Sequence, residues 1–238
     1  MEALRVKQQQ QQQQQTPHQQ DRAAWGAHAL ASVAGVLLVG TIVALYACHN
    51  RADNVERFPL RECPHISCML KKGTVQYRFG MIAVLLISVL LLALEIFYPF
   101  RQPPAVRPPW TWKVLLIACV ALLALCMVLT LVYKIGQGQD TPHHIFASFV
   151  FMFFIVLSGI WIRMMWATPR RTTALVFGVL LVLLVVMGGV CMLLPSGVHG
   201  VAPLWPLAFS QWGGILCFVV LLQLSCGQRK PYVFISGI

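Results

Sequence analysis

Six apolar stretches, each long enough to cross a lipid bilayer, constrain this chain more than any other feature. They cover residues 24–47, 77–97, 113–133, 144–166, 174–194 and 207–226. A helix needs roughly 20 apolar residues to cross the hydrocarbon layer, and a helix satisfies all of its own backbone hydrogen bonds there. The sequence therefore predicts an all-α, polytopic membrane helix bundle with six transmembrane helices in residues 24–227.

The composition excludes a soluble globular domain. Hydrophobic residues make up 58% of the 238 residues and charged residues only 11%, whereas the surface of a soluble protein must be largely polar. In a soluble protein the net charge of +11 would suggest a nucleic-acid partner. Here the basic residues are scattered through loops, so we expect membrane lipid as the partner and no nucleic acid.

Both ends of the chain lie outside the apolar spans. Residues 1–23 contain an unbroken glutamine run, Gln8 to Gln15, and such a tract has too little apolar surface to offset the entropy of ordering. We expect a disordered tail and not a signal peptide, because the first apolar run starts late and is long. Residues 228–238 are expected to form a second, short tail.

The basic residues favour one orientation in the membrane. Six spans place both ends of the chain on the same side, and eleven of the 18 Lys and Arg residues lie on that side. Positive charge accumulates in cytosolic loops, so we predict cytosolic termini, although the loop of residues 49–76 on the other side carries five basic residues. That loop, the third loop and the fifth loop would then face a lumen or the cell exterior.

Two cysteines lie in this first loop, in the segment CPHISC from Cys63 to Cys68. They could form a redox pair, contribute with His65 to a metal site, form a small structural disulfide, or be unrelated thiols. Redox motifs generally have two intervening residues, not four, and zinc needs four ligands, for which the loops hold no second cysteine pair. We favour the structural interpretation, with a lumenal disulfide allowed, and expect no metal.

The histidines argue against a haem cofactor. Membrane proteins that carry electrons ligate haem through paired histidines inside their spans. None of the seven histidines lies at mid-span, since His28 is in the first turn of the first span and the others are in loops or at span ends. We therefore expect no cofactor.

Glu95 is the only acidic residue within a predicted span. A deep intramembrane carboxylate is functional by default, but Glu95 lies four residues before Pro99, about 6 Å from the span end at 1.5 Å per residue. Two interpretations stay open. We favour a side chain that snorkels to the interface, towards Arg101, over a functional buried carboxylate.

The stretch QDTPHHIFASFVF, residues 139–151, opens the fourth span. Asp140 and Thr141 are good helix-starting residues, and Pro142 suits a first helical turn. The adjacent His143 and His144 could be metal ligands, part of the helix start, or polar contacts for a lipid head group. A metal site lacks enough nearby ligands, which leaves the other two interpretations.

Gln211 and Trp212 open the sixth span. A glutamine there can hydrogen-bond across helices, and an interfacial aromatic belt predicts a tryptophan at that depth. The sequence contains no nucleophile elbow, phosphate loop or zinc-protease motif. The residues alone therefore indicate a six-span membrane protein with a polar lumenal rim and no recognisable catalytic motif.

Three segments together resemble one family. They are Pro64–Ser67 followed by Gln76–Met81, the group His143, His144, Ala147 and Phe149, and Leu207–Trp212 before the last span. This layout resembles the Frag/DRAM/Sfk family of six-span membrane proteins. The first segment is most similar to the GPI-anchor remodelling branch, that of post-GPI-attachment to proteins factor two, and to the related CWH-type N-terminal domain. In that branch a Pro-x-[Ile/Val]-Ser motif precedes an arginine, here Arg78.

The resemblance implies a part in GPI-anchor lipid maturation in the Golgi or endoplasmic reticulum, with GPI-anchored precursors as partners. It implies a lumenal polar rim in which Arg78, His143, His144, Gln211 and Trp212 meet a lipid head group. It does not imply that the protein is the enzyme. Gln211 departs from the pattern, because the family often has an acidic residue there.

Two other functions stay open. A non-catalytic membrane regulator or scaffold, like the autophagy modulators of the family, would depend on the basic cytosolic segments. A small lipid or solute transporter would show inverted repeats with broken spans. The sequence contains no convincing internal repeat, so we rank the transporter last.

Overall fold

The computed structural model of the protein describes six α-helices. They are α1 (Pro17–Arg51), α2 (Val75–Phe97), α3 (Pro109–Val132), α4 (Asp140–Met165), α5 (Arg171–Leu193) and α6 (Trp205–Cys226). The described residues are 17–51, 75–98, 100, 109–133, 140–193 and 205–229. Within these ranges there is no strand, only an isolated antiparallel bridge between Phe100 and Arg229.

Each helix contains a stretch that is long and apolar enough to cross a membrane. The stretches are Trp25–Ala47, Tyr77–Phe97, Trp110–Val132, Thr141–Met165, Arg171–Cys191 and Ala208–Cys226. Large apolar side chains such as Val36, Leu85 and Leu183 point outwards, which suits lipid as the surrounding solvent. The predicted six-span bundle is confirmed, and no predicted span bound differs by more than three residues.

The first helix begins earlier than the composition indicated. α1 starts at Pro17, so residues 17–23 are helical where a disordered tail was expected. Proline suits a first turn because its missing N–H would have no partner there, and glutamine and arginine are good helix formers. The glutamine run Gln8–Gln15 lies outside the described residues.

Helix α6 is the centre of the bundle. Helices that are consecutive in the chain pack side by side, and α6 also packs against α1 and α4. Its apolar stretch is 56% buried, against 28–39% for the other five. Phe154 of α4 stacks on Phe218 of α6 with ring centroids 4.2 Å apart, and Trp161 lies 5.1 Å from the same ring. Aromatic side chains therefore fill the contact between α4 and α6.

Small residues bring α1 close to α6. Ala31 and Gly35, four positions apart, are both buried. A Cβ placed on Gly35 would lie 2.9 Å from Cγ1 of Val219 in α6. Small residues at such spacing allow close helix contact in membranes, and here they let α1 pack on the central helix.

The alternating direction of the helices gives the bundle two ends. At one end α1, α3 and α5 begin and α2, α4 and α6 finish, and we call this end the Arg229 face. The other end, where α2, α4 and α6 begin, is the His143 face. On the Arg229 face, contacts from Arg170 to Leu224 and from Arg229 to Glu95 join the α4–α5 turn and the ends of α2 and α6.

Candidate functional site

His143 connects the end of α3 to the first turn of α4. Its Nδ1–H donates to the carbonyl oxygens of Thr130, at 2.9 Å, and of Tyr133, at 2.7 Å. Carbonyl oxygens only accept hydrogen bonds, so the hydrogen must be on Nδ1. The last carbonyls of a helix have no partner within the helix, and His143 supplies one. The residue is only 5% exposed, so its ring serves this junction.

Two tyrosines reinforce the same junction. The hydroxyl of Tyr77, in the first turn of α2, donates to the carbonyl oxygen of Leu131 at 3.2 Å. Tyr133 stacks on Phe146 of α4 with ring centroids 5.4 Å apart. The end of α3 is thus held by α2 on one side and by α4 on the other.

Arg78 and His144 are the exposed members of the predicted rim. Arg78 lies in the first turn of α2 and makes no hydrogen bond or ion pair with any other described residue. His144 lies in the first turn of α4, with its ring 5.6 Å from that of His143. Because α2 and α4 both pack against α3, the two exposed side chains flank the end of α3.

Gln211 and Trp212 are packed into the bundle. Gln211 is 6% exposed. Trp212 contacts Tyr46 of α1 edge-on at 5.9 Å, and its buried Nε1 has no hydrogen-bond partner in the described part of the chain. The predicted rim therefore divides into an exposed pair, Arg78 and His144, and a set packed against other helices, His143, Gln211 and Trp212.

The predicted disulfide residues, Cys63 and Cys68, lie outside the described residues. Five cysteines inside spans are free thiols, namely Cys119, Cys126, Cys191, Cys217 and Cys226. Across the described helices and turns, no three His, Cys, Asp or Glu side chains are grouped as a metal site requires.

A buried ion pair closes the Arg229 face. Nη2 of Arg229 donates to Oε1 of Glu95 at 2.7 Å, and the two side chains are 0% and 2% exposed. Nη1 donates to the carbonyl oxygen of Tyr98 at 3.4 Å, and Nη2 also donates to Oγ of Ser225 at 3.3 Å. The predicted snorkelling of Glu95 is therefore wrong. The carboxylate has a partner inside the bundle, and Arg101 lies outside the described residues.

Aromatic rings enclose the cation of this pair. The guanidinium carbon of Arg229 lies 4.4 Å from the ring centroid of Phe100 and 6.0 Å from that of Trp161. The negative faces of aromatic rings attract a desolvated cation. Arg229 was expected in a short tail after the last span, but the chain turns back after α6 and buries it between α2, α4 and α6.

A second arginine holds the same end of α6. Nη1 of Arg170, in the α4–α5 turn, donates to the carbonyl oxygen of Leu224 at 3.1 Å. A Cβ on Gly227 would lie 2.5 Å from this nitrogen, so a larger residue there would push the guanidinium of Arg170 away from its present position. A cation beside the last carbonyls of a helix is favourable because the helix dipole is negative at that end.

The ion pair is joined by one hydrogen bond, not two. Oε2 of Glu95 and Nε of Arg229 are buried and have no hydrogen-bond partner among the described residues. A bidentate arginine–carboxylate pair would use both carboxylate oxygens and two N–H groups of the guanidinium. We call the unit of Glu95, Arg229 and Ser225 the clasp.

One signal in the sequence pointed towards the clasp. The order of six spans places Glu95 on the same face as the residue that follows the last span. It did not identify Arg229 among the several basic residues on that face, because the pairing depends on how the chain turns after Cys226.

No family model matches the chain, and no curated protein and no solved structure matches it. The resemblance to the Frag/DRAM/Sfk family therefore stays a prediction that rests on the short motifs.

Proposed function

We propose that this multi-pass membrane protein takes part in the lipid maturation of GPI anchors by engaging a phosphate-bearing head group at the His143 face. The proposed location is the Golgi or endoplasmic reticulum membrane, with cytosolic termini and a lumenal His143 face. The motif resemblance suggests the process, and the exposure of Arg78 supports the site.

The observation that carries the proposal is the exposed arginine in the first turn of α2. Arg78 has no partner among the described residues, so its guanidinium is available to a ligand. A guanidinium can donate two parallel hydrogen bonds to a phosphate. The exposed imidazole of His144 lies across the end of α3 and is a second polar contact, while the outward apolar side chains of the helices contact the acyl chains.

The buried members have a supporting role in this proposal. His143 and Tyr77 fix the end of α3, and thereby the positions of the α2 and α4 turns that carry Arg78 and His144. No catalytic role is assigned to any of these residues, so the protein can be an accessory factor that binds the lipid for a separate enzyme.

The test uses cells that lack this protein and depend on it for GPI-anchored proteins. Arg78→Ala and His144→Ala are each expressed in them, and the surface level of a GPI-anchored reporter and the acyl composition of its anchor are measured. We expect both variants to lower the surface level and alter the acyl composition. Normal anchors at normal expression of the variants would reject the head-group site.

Arg171→Ala is the matched control. Arg171 is also an exposed arginine in the first turn of a helix, α5, but it lies on the Arg229 face. If the head group binds at the His143 face, we expect this variant to leave the surface level of the reporter and the acyl composition of its anchor unchanged.

A second candidate is a non-catalytic regulator or scaffold. The exposed arginines Arg163 and Arg171 of the Arg229 face favour it, because a cytosolic partner could contact them. Loss of function on replacement of Arg163 and Arg171, with normal function of Arg78→Ala, would support the scaffold over the head-group site.

A further inference from the structure

We propose that the clasp is a lock that holds the chain segment following α6 inside the bundle and keeps the end of α6 closed to solvent. The proposal concerns the Arg229 face and does not depend on a head-group site at the His143 face.

The clasp connects parts of the chain that are far apart in sequence. Glu95 belongs to the last turn of α2, whereas Arg229 follows the end of α6 by three residues. Tyr98 and Phe100, which follow α2, contact Arg229 through a carbonyl oxygen and a ring, and Trp161 of α4 lies on another side. One arginine side chain thus joins three helices at one end of the bundle.

The two charges of the clasp contribute more to specificity than to net stability. A buried ion pair is poor evidence for stability, because the desolvation of two charges offsets much of their attraction. Burial of apolar side chains of the same size would hold the helices as well. A charged pair is more specific than an apolar contact, because each buried charge is satisfied only by its opposite partner. It is also more easily lost, because removal of either charge leaves the other buried and unpaired and opens the contact.

The ion pair of the clasp is not fully hydrogen-bonded. A single hydrogen bond joins the two charges, and Oε2 of Glu95 and Nε of Arg229 have no partner among the described residues. Such a pair is held less firmly than a bidentate one. Only the short segment Gly227–Arg229 has to move to separate it, while α6 keeps its own hydrogen bonds.

Cys226 is a native reporter of this movement. It is the last residue of α6, is fully buried and donates to the carbonyl oxygen of Leu222. Its neighbour Ser225 accepts a hydrogen bond from Arg229. Because the clasp covers the end of α6, departure of residues 227–229 would expose the thiol of Cys226.

The test measures the rate at which a water-soluble maleimide labels Cys226 in a full-length protein whose other cysteines are replaced by serine or alanine. Glu95→Gln and Arg229→Gln each remove one charge and keep a similar size. We expect each to raise the labelling rate about tenfold or more, the ratio that corresponds to about 1.4 kcal/mol. Arg229→Lys keeps the charge and one N–H···O bond, so we expect it to keep most of the protection.

Two controls separate local opening from unfolding. Cys217, buried in the same helix, lies nine residues deeper, about 14 Å along the helix axis. In a matched protein that retains only Cys217, the clasp variants should raise its labelling rate by a smaller factor than that of Cys226. Arg171→Gln, which changes an exposed arginine on the same face, should leave the labelling of Cys226 unchanged.

Two results would overturn the proposal. Unchanged labelling of Cys226 in Glu95→Gln and Arg229→Gln would show that the ion pair does not close the end of α6. Equal acceleration at Cys217 would show that the pair only contributes to global stability and is not a local lock.

Discussion

At the His143 face the helix ends are joined by hydrogen bonds to backbone carbonyls, whereas at the Arg229 face they are joined by a buried pair of opposite charges. The first arrangement uses Tyr77 and His143 and leaves Arg78 exposed. The second places Arg229 inside the bundle. The difference shows that an arginine at a span end can have either of two roles. An exposed one is available to a partner molecule, and a buried one holds helices together.

The largest loss in the free energy of unfolding is expected from substitutions on the Arg229 face. Replacement of Arg229 by Met leaves the carboxylate of Glu95 buried without its partner, and a broken buried pair typically costs about 3–5 kcal/mol. We expect this loss in the free energy of unfolding, measured by circular dichroism during reversible unfolding in mixed micelles. Glu95→Leu should cost a similar amount.

The double variant sharpens this prediction. Glu95→Leu combined with Arg229→Met removes both charges and leaves an apolar contact, which should recover most of the stability. If the losses in the free energy of unfolding of the two single variants simply add in the double variant, the two side chains are not coupled. The buried pair would then not distinguish this face from the His143 face.

The next largest loss in the free energy of unfolding is expected from substitutions at the junction of α3 and α4. His143→Ala removes the donor from two carbonyl oxygens and leaves buried acceptors without a partner, which costs about 1–3 kcal/mol. His143→Asn places an N–H near the position of Nδ1 and should restore part of the loss. The same unfolding measurement applies.

His144→Ala is the matched control for His143→Ala, because it changes the neighbouring but exposed histidine. It should leave the free energy of unfolding nearly unchanged. Equal losses for the two variants would contradict the division into a buried junction histidine and an exposed one.

Much of this architecture was readable from the sequence, for a physical reason. The thickness of the bilayer fixes the length of an apolar span, so all six helices and their bounds follow from local composition. Residues 17–23 are an exception, because polar residues of good helix propensity carry no apolar signal that distinguishes a helical extension from a tail.

The candidate sites were harder to predict from the sequence, because the burial of a single side chain depends on tertiary contacts. The motif around His143 and His144 indicated polar residues at the start of a span, but not which of the two faces α3. Glu95 is the clearest case. Its partner lies 134 positions away. Gly227 indicates a helix end after Cys226, but nothing in the sequence indicates that the chain then brings Arg229 back to Glu95.

A smaller loss in the free energy of unfolding is expected from Tyr77→Phe at the His143 face. The ring stays and the hydrogen bond to the carbonyl oxygen of Leu131 is lost, which costs about 0.5–1.5 kcal/mol. Tyr46→Phe is the control, because the contact of Tyr46 with Trp212 is made by its ring. A larger loss for Tyr46→Phe than for Tyr77→Phe would show that the α2–α3 hydrogen bond does not hold this junction.

The smallest effect on stability is expected from Arg78→Ala. An exposed side chain without a partner in the described structure contributes little to the free energy of unfolding, and Arg171→Ala on the opposite face should behave alike. The two unfolding curves should coincide with that of the unchanged protein. A defect in anchor maturation caused by Arg78→Ala would then report a lost contact with a ligand and not a damaged fold. If Arg78→Ala instead destabilises the protein as much as His143→Ala does, Arg78 belongs to the α2–α3 junction, and the contrast between an exposed arginine at one face and a buried arginine at the other no longer holds.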